Sequence, residues 1–309
     1  LAAADASPIL VIVGATGVGK TSTACRVAAA LGGEIVSADS RQIYKGLDIG
    51  TAKPSAEELR AARHHMINVA DPREFFDAGR YSEDARALFK SVAARDRVPV
   101  LVGGTGLYLR AALEGLFPGP KRDDALRERL RAEERMDPGC LHRRLRHVDP
   151  VKAEQLSPRD LIRVLRALEV YELTGVPLSK AQAEWSPEPV HHVAIGLTRP
   201  REELYRRIDS RVLEMVKLGL FEEVERLLAS GLPPDAPGLK TIGYREIVSC
   251  LKGEISRSEA AGLIQRNTRR YAKRQMTWFR RMSIRRWISL EDPNEAAEEI
   301  VGLWRREFS

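Results

Sequence analysis

The sequence has 309 residues, a formal net charge of +7 and 43% hydrophobic content, enough for a large core plus an insertion or second domain and ordinary for a soluble globule. No apolar run approaches a membrane span, and residues 1–5 lack the charged start and long apolar stretch of a signal peptide, so a cytoplasmic protein with no membrane partner is expected. Cys25, Cys140 and Cys250 are scattered, with no C-x-x-C pair and no His at zinc spacing, which reads as buried or idle thiols in a reducing compartment rather than a zinc module.

The chain opens with a β-branched apolar run at 9–13, followed at once by Gly14-Ala15-Thr16-Gly17-Val18-Gly19-Lys20-Thr21. This fits G-x-x-x-x-G-K-[ST], the phosphate-cradling loop. Its glycines let successive N–H groups converge on phosphate oxygens, Lys20 adds a point charge, and the Thr21 hydroxyl can ligate Mg²⁺. Ala24, Val27, Ala28 and Leu31 follow at helical spacing, so the positive end of a helix dipole faces the anion. A turn that binds nothing is the alternative, and the strand–loop–helix context weighs against it.

Residues 34–38 predict a second strand, ending in Asp39-Ser40-Arg41-Gln42. Carboxyl ends of strands face the ligand crevice of an open α/β sheet, which puts Asp39 near the phosphates. There it can hold Mg²⁺, act as a general base, or cap the following turn. Residues 43–54 predict a loop, and His64 and His65 precede a short predicted strand at 66–69. Adjacent His side chains point to opposite faces of an extended chain, so the pair is read as structural rather than metal-binding. A helix is predicted over 81–94, with Ala85, Leu88, Phe89 and Val92 on one face. Residues 98–102 predict a third strand, ending in Gly103-Gly104-Thr105-Gly106. Phosphate-loop hydrolases usually carry an Asp at that tip to support Mg²⁺ and water. Gly103 in its place counts against hydrolysis of ATP, the default occupant of such a loop, and points to a close approach of backbone or ligand. Thr105 brings a hydroxyl to the same sheet edge as Lys20 and Asp39.

Alternation of strand and helix stops at Pro118-Gly119-Pro120, and only helical patterns follow until Pro187 and Pro189. Charge there is nearly balanced, as on a solvated helical surface. The expected fold class is therefore α/β: a P-loop NTPase-like parallel sheet flanked by helices, built from 1–118 and 190–309, with an all-helical insertion domain at 119–189. A strand at 192–197 returns the chain to the sheet. The next predicted helix, 202–228, turns Leu204, Ile208, Val212, Met215, Leu218 and Val224 inward. Arg206, Arg207 and Arg211 on its first turns either reach back over the phosphates or snorkel at the surface. From 266 to 290 there is no acidic residue, against nine Arg and Lys. Ile264, Thr268, Tyr271, Gln275, Trp278 and Met282 form one helical stripe that reads as packing, with the cations on the other faces. Such an unbalanced run is a nucleic-acid signal, since neutralised phosphates release counterions. A membrane-surface helix is the competing reading and lacks a wide apolar face.

Several blocks carry a resemblance: 14–21, D-S-R-Q-I-Y-K-G-L-D-I-G-T-A-K-P at 39–54, G-G-T-G-L-Y at 103–108, R-A-L-E-V at 166–170, I-G-Y at 242–244, and T-R-R-Y-A-K-R-Q-M-T-W-F-R at 268–280. In order, and through nearly the whole chain, they resemble the tRNA dimethylallyltransferases. The second and last blocks are far more specific than the phosphate loop. The resemblance implies transfer of a dimethylallyl group from dimethylallyl diphosphate to N6 of the adenosine just 3′ of the anticodon, in tRNAs reading codons that start with U. It implies Mg²⁺ and a channel that the two substrates enter from opposite sides; a monomer is expected. Matched positions make Asp39 the base for the N6 proton and put Thr105 and Arg211 on the diphosphate. They seat the diphosphate on Gly14 to Thr21, with Thr21 on the metal, and surround the extruded adenine with Ser40, Arg41 and Gln42. Contacts to the tRNA anticodon stem-loop are implied for Arg127, Ile162, Arg163, Arg166, Lys240, Gly243, Tyr244, Arg245, Lys273, Arg274, Gln275, Trp278 and Arg280. Three places depart from the family pattern: Arg159 precedes Asp160 where an Asn-Asp pair is common, Ile162 stands where Gln or Lys is, and Asn68 where Asp is.

Overall fold

The computed structural model describes residues 8–186 and 188–308; residues 1–5 and Pro187, read above from sequence, fall outside them. The apolar run at the start becomes β1 (Ile9–Gly14), buried along its whole length, as a parallel strand covered on both faces must be. The phosphate loop leads into α1 (Lys20–Leu31), and β2 (Glu34–Ala38) follows. Next come α2 (Ala56–Ala61), β3 (His64–His65), α3 (Ala78–Ala93), β4 (Pro99–Gly103) and α4 (Gly106–Glu114). Five helices then run without a strand: α5 (Asp124–Met136), α6 (Cys140–Val148), α7 (Pro150–Gln155), α8 (Leu161–Thr174) and α9 (Leu178–Glu184). The chain resumes with β5 (His192–Thr198), α10 (Arg201–Lys217), α11 (Leu220–Ala229), α12 (Tyr244–Leu251), α13 (Arg257–Phe279), β6 (Arg286–Ser289) and α14 (Pro293–Phe308).

The six strands form one sheet in the order β3-β2-β4-β1-β5-β6, every pair parallel. The α/β class with a parallel sheet is thus as expected. From β1 the chain crosses to one side to reach β2 and later returns for β5 on the other side. The carboxyl ends of β1, β2 and β4 therefore open on the crevice where open α/β sheets bind ligands. One face of the sheet packs Leu10, Ile12, Val100 and Ile195 against Ala24, Val27 and Ala28 of α1 and Ile300 and Trp304 of α14. On α3 and α4, Tyr81 and Tyr108 stack with centroids 4.0 Å apart, and Tyr81 donates its hydroxyl to the Ser37 carbonyl at 2.9 Å.

Glu114 closes the first part of the sheet unit, Pro189 reopens it, and Gly115–Glu188 is a second compact unit. Within that second unit Leu130, Leu141, Leu145, Leu165 and Leu168 form a core of their own. Buried Glu169 is its polar centre, taking Arg127 Nε and Nη2 at 2.7 Å each, Arg166 Nη1 at 2.6 Å and the Asp123 N–H at 3.0 Å. Burial alone would raise this carboxyl; those hydrogen bonds outweigh it and hold it down at about 2.

Several elements differ from the sequence reading. The strand expected at 66–69 is instead His64–His65, because Met66 and Asn68 adopt positive φ (61° and 57°) and turn the chain out of the sheet. The single helix expected over 202–228 breaks at Gly219, φ 96°, into α10 and α11. Leu218, expected inward, falls at that break and is 67% exposed. α13 ends at Phe279, so Met282 lies beyond the helix it was expected to stripe. β6 and α14 were not anticipated. Among the described residues no helix is long and apolar enough to cross a membrane.

Candidate functional site

The site is built on the tips of β1, β2 and β4. Gly17 and Gly19 take positive φ (81° and 114°), which a side chain would oppose, and the loop bends so that α1 begins at Lys20. Lys20 Nζ donates to the Ala15 carbonyl at 2.9 Å. Burial lowers the Lys20 ammonium to about 8, with Asp39 opposing and Arg211 reinforcing the shift. At the tip of β4, a Cβ on Gly103 would come within 2.2 Å of the Ala38 carbonyl oxygen. Glycine there is required by the neighbouring strand, the close backbone approach anticipated from sequence.

Asp39 directly follows β2. Its Oδ1 accepts the Arg41 N–H at 2.8 Å and the Gln42 N–H at 3.4 Å, so the turn-capping role is real. Among the described residues Oδ2 takes no hydrogen bond. Thr105 is fixed beside it: its N–H donates to Ala38 O at 3.1 Å, and its Oγ1 accepts the Ser40 N–H at 3.0 Å.

Two cavities meet at these residues. The first, of about 580 Å³, is lined by Thr16, Gly17, Lys20, Thr21, Asp39 and, from α10, Arg206, Arg207 and Arg211. Arg207 Nε also donates to Gly17 O at 3.2 Å, so this arginine braces the loop rather than snorkelling away. The second, of about 420 Å³, is lined by Asp39, Ser40, Thr105, Tyr271, Trp278 and four cations, Arg41, Lys240, Arg245 and Arg274. Among the described residues Asp39 is its sole carboxylate and, like Thr16 and Thr51, belongs to both cavities. A phosphate cradle and a cationic chamber with two aromatic rings thus share one carboxylate.

Several expected nucleic-acid contacts have other tasks. Tyr244 is fully buried, accepting the Gly50 N–H at 3.1 Å and donating to Glu223, and so has no surface for RNA. Gly243 is buried with its N–H on Glu246 Oε2 at 2.8 Å, because its φ of 102° starts α12. Gln275 is buried too, accepting the Thr16 N–H and donating to Gly104 O, each at 2.8 Å. Gln42 lines only the first cavity and donates to Ala52 O at 3.0 Å, which braces the 51–52 turn instead of framing the second cavity. Arg127 and Arg166 hold Glu169 within the second unit. Ile162 and Arg163 are exposed at the start of α8, and Lys273 on α13 and Arg280 just past its end are exposed outside both cavities.

Glu223 was missed. It accepts the N–H groups of Asp48, Ile49 and Gly50 at 3.1, 2.9 and 3.4 Å, which fixes the turn leading to Thr51 at the cavity wall. Lys53 was missed as well; it donates to Tyr44 O, Asp48 Oδ1 and Asn68 Oδ1 at 2.6, 2.6 and 2.5 Å and cinches the same loop. Glu223 has no local sequence signal, because its partners are distant backbone groups and Tyr244, whereas Lys53 lies within the 39–54 block, which does not say what its side chain holds.

Among the described residues no cluster of three or more His, Cys, Asp or Glu forms a metal cage. The first cavity instead offers hard oxygens, the Thr21 hydroxyl and the Asp39 carboxylate, beside a phosphate cradle. That donor set fits Mg²⁺, which keeps several waters and binds through few protein oxygens plus substrate phosphates.

The family model described as IPP transferase matches residues 42–282. The tRNA dimethylallyltransferase of Symbiobacterium thermophilum is 48% identical, covering 97% of this chain and 96% of that protein; that of Thermomicrobium roseum is 46% identical, covering 98% and 93%. Among solved structures, the full-length tRNA isopentenylpyrophosphate transferase of Bacillus halodurans superposes with a TM-score of 0.73 at 38% identity, over 97% of this chain and 96% of that one. A eukaryotic dimethylallyltransferase acting on tRNA gives a TM-score of 0.76 at 28% identity, over 88% and 70%. With the family matched across most of its length and relatives near half identical end to end, the chain belongs to the IPP transferases, the family of the tRNA dimethylallyltransferases.

Proposed function

We propose that the protein transfers a dimethylallyl group from dimethylallyl diphosphate to N6 of the adenosine 3′-adjacent to the anticodon, in tRNAs reading codons that start with U. The observation that carries this reading is Asp39, shared by a phosphate cradle and a cationic chamber. A donor diphosphate in the first cavity and an RNA base in the second would meet there.

In this reaction the C1–O bond of the donor breaks, the N6–C1 bond forms, and the N6 proton passes to the Asp39 carboxylate. Adenine N6 is a weak nucleophile because its lone pair is delocalised into the ring, so proton removal accompanies bond formation. Charge gathers on the departing diphosphate, and donors already aimed at it lower the barrier most: the loop N–H groups, Lys20 and Arg211. Thr105 holds the Ser40 turn that supports Asp39. Mg²⁺ on Thr21 and the diphosphate would neutralise leaving-group charge when bound.

A base inside a stacked anticodon loop is out of reach and must be flipped out, at a cost of a few kcal/mol that backbone contacts offset. Tyr271 and Trp278 bring aromatic side chains to the second cavity, and Lys240, Arg245 and Arg274 offer charge for the adjoining phosphates. Ile162, Arg163, Lys273 and Arg280 are the exposed candidates for further tRNA contact. We infer action as a monomer, in the cytoplasm where tRNA is found.

The test is mass spectrometry of an unmodified anticodon stem-loop incubated with protein, Mg²⁺ and dimethylallyl diphosphate, with AMP as the competing acceptor. A dimethylallyl mass increase on the adenosine beside the anticodon is expected. Modification of AMP alone would replace the RNA acceptor with a free nucleotide.

A further inference from the structure

Among the described residues that line the second cavity, four are exposed: Leu107, Lys240, Arg245 and Arg274. Three of these are cations suited to phosphates. The fourth is apolar, and Leu107 is 48% exposed. A leucine exposed singly elsewhere on a surface needs no explanation. This one stands among the cations at the rim of the chamber that would receive a nucleobase.

Its backbone is held from several sides. The Thr105 N–H donates to Ala38 O at 3.1 Å, which ties the segment to β2, and the Leu109 N–H donates to Thr105 O at 3.0 Å, which starts α4. A Cβ on Gly106 would lie 2.3 Å from Trp278 Cδ2, so α13 packs directly on the residue before Leu107. The residue after it, Tyr108, is buried with its hydroxyl donating to Phe76 O at 3.0 Å. Leu107 is thus presented on the first turn of a braced helix, the kind of support that fixes a contact better than a loop does.

Drawing a base out of a stacked loop uncovers the faces of its neighbours. Leucine has no donor or acceptor, so it can neither hold a phosphate nor read a base edge by hydrogen bonding. It can cover an uncovered base face, as apolar wedges do between the base steps of kinked duplexes. We propose that Leu107 is a positioning wedge, which enters the gap left by the extruded adenosine and keeps that base from restacking while Asp39 acts on it. The inference rests on the prenyl-transfer reading and assigns Leu107 to the neighbours of the reacting base, not to the reacting atoms.

The experiment uses the full chain, dimethylallyl diphosphate and two anticodon stem-loops, one intact and one abasic at the nucleotide 3′ of the target adenosine. The abasic loop has lost half of the stack around that base and leaves the wedge little to cover. Leu107→Ala is expected to lower single-turnover kcat/KM on the intact loop by about tenfold or more, and to lower it far less on the abasic loop. Leu107→Met keeps the volume and is expected to recover most of the loss. An unchanged inhibition constant for inorganic diphosphate reports an intact fold in each variant. Affinity for each loop, measured without donor, gives the same comparison where a loop is bound and not modified. A Leu107→Ala defect of equal size on both loops, or none on the intact loop, overturns the wedge alone. So does a wild type that modifies the intact loop and cannot bind the abasic one, since the neighbouring base would then be held by its edge. A wild type that modifies no RNA overturns the functional reading and the wedge with it.

Discussion

Gln275 ties the basic helix to the phosphate loop: its side-chain oxygen accepts the Thr16 N–H at 2.8 Å while its amide nitrogen donates to the Gly104 carbonyl, also at 2.8 Å. One side chain of α13 thereby pins the tips of β1 and β4 together. Gln275→Met keeps the volume and leaves both backbone groups without this partner, at about 1–3 kcal/mol for each buried group left unsatisfied. Urea unfolding is expected to show that loss as a lower midpoint with an unchanged slope. The KM for the diphosphate donor should rise as the loop loosens. A variant as stable as wild type would mean that water replaces the clamp.

Asp39 has two tasks that a single substitution can separate. Oδ1 caps the 39–42 turn through the Arg41 and Gln42 N–H groups, and the carboxylate charge faces the shared edge of the two cavities. Asp39→Asn retains an oxygen for the cap but loses the base. Its single-turnover transfer rate should fall by about 10²–10⁴, the usual contribution of a positioned base, with tRNA affinity and thermal stability near wild type. Asp39→Ala should lose stability as well, by about 1 kcal/mol for the missing cap. Single-turnover rates for Asp39→Asn within about tenfold of wild type would remove the carboxylate from proton transfer.

Lys20 gives the donor site a pH dependence. Its ammonium is held down to about 8 by burial, against the pull of Asp39 and with the push of Arg211. A bound diphosphate favours the charged form, so binding must first restore any proton already lost. Donor affinity is expected to be level below pH 8 and to weaken by about tenfold per pH unit above it, one pKa unit being about 1.4 kcal/mol. Titration calorimetry with dimethylallyl diphosphate between pH 7 and 10 measures this directly. Lys20→Arg should remove the inflection, since a guanidinium stays protonated there; an inflection that persists would belong to another group.

The parts legible from sequence are those whose physics is local. The loop 14–21 declares itself because glycine freedom, a lysine and a helix start are contiguous, and Gly103 declared a close approach that the Ala38 backbone makes. Asp39 was found because strand ends face the crevice. What was not legible depends on pairing across the chain. Tyr244 and Gln42 sit inside blocks shared with the family, and a block says that a residue matters without saying which way it points. The four residues of β6 bury only Ile288, so amid Arg285, Arg286 and Trp287 the strand carried too little alternation to stand out from the basic run. Glu223 lies 175 positions from Asp48, whose N–H it accepts.

That distant pairing sets the last prediction. Glu223 is a buried carboxylate whose charge is balanced by three backbone N–H groups of the 48–50 turn and by the Tyr244 hydroxyl. The turn leads into Thr51, which lines both cavities, so loosening it disturbs donor and acceptor sides together. Tyr244→Phe removes one donor to the carboxylate, and hydrogen bonds to charged groups contribute about 1.5–3 kcal/mol. Glu223→Leu is expected to cost more, because it strips the Asp48 and Ile49 N–H groups of their partner and leaves the Gly50 N–H only the Tyr244 hydroxyl. The double variant should cost less than the sum of the two, since the phenol–carboxylate bond can be lost only once, with a coupling of about 0.5–3 kcal/mol as found for residues in direct contact. A double-mutant cycle by urea unfolding reads that coupling, and strict additivity would mean that Tyr244 and Glu223 hold the turn independently.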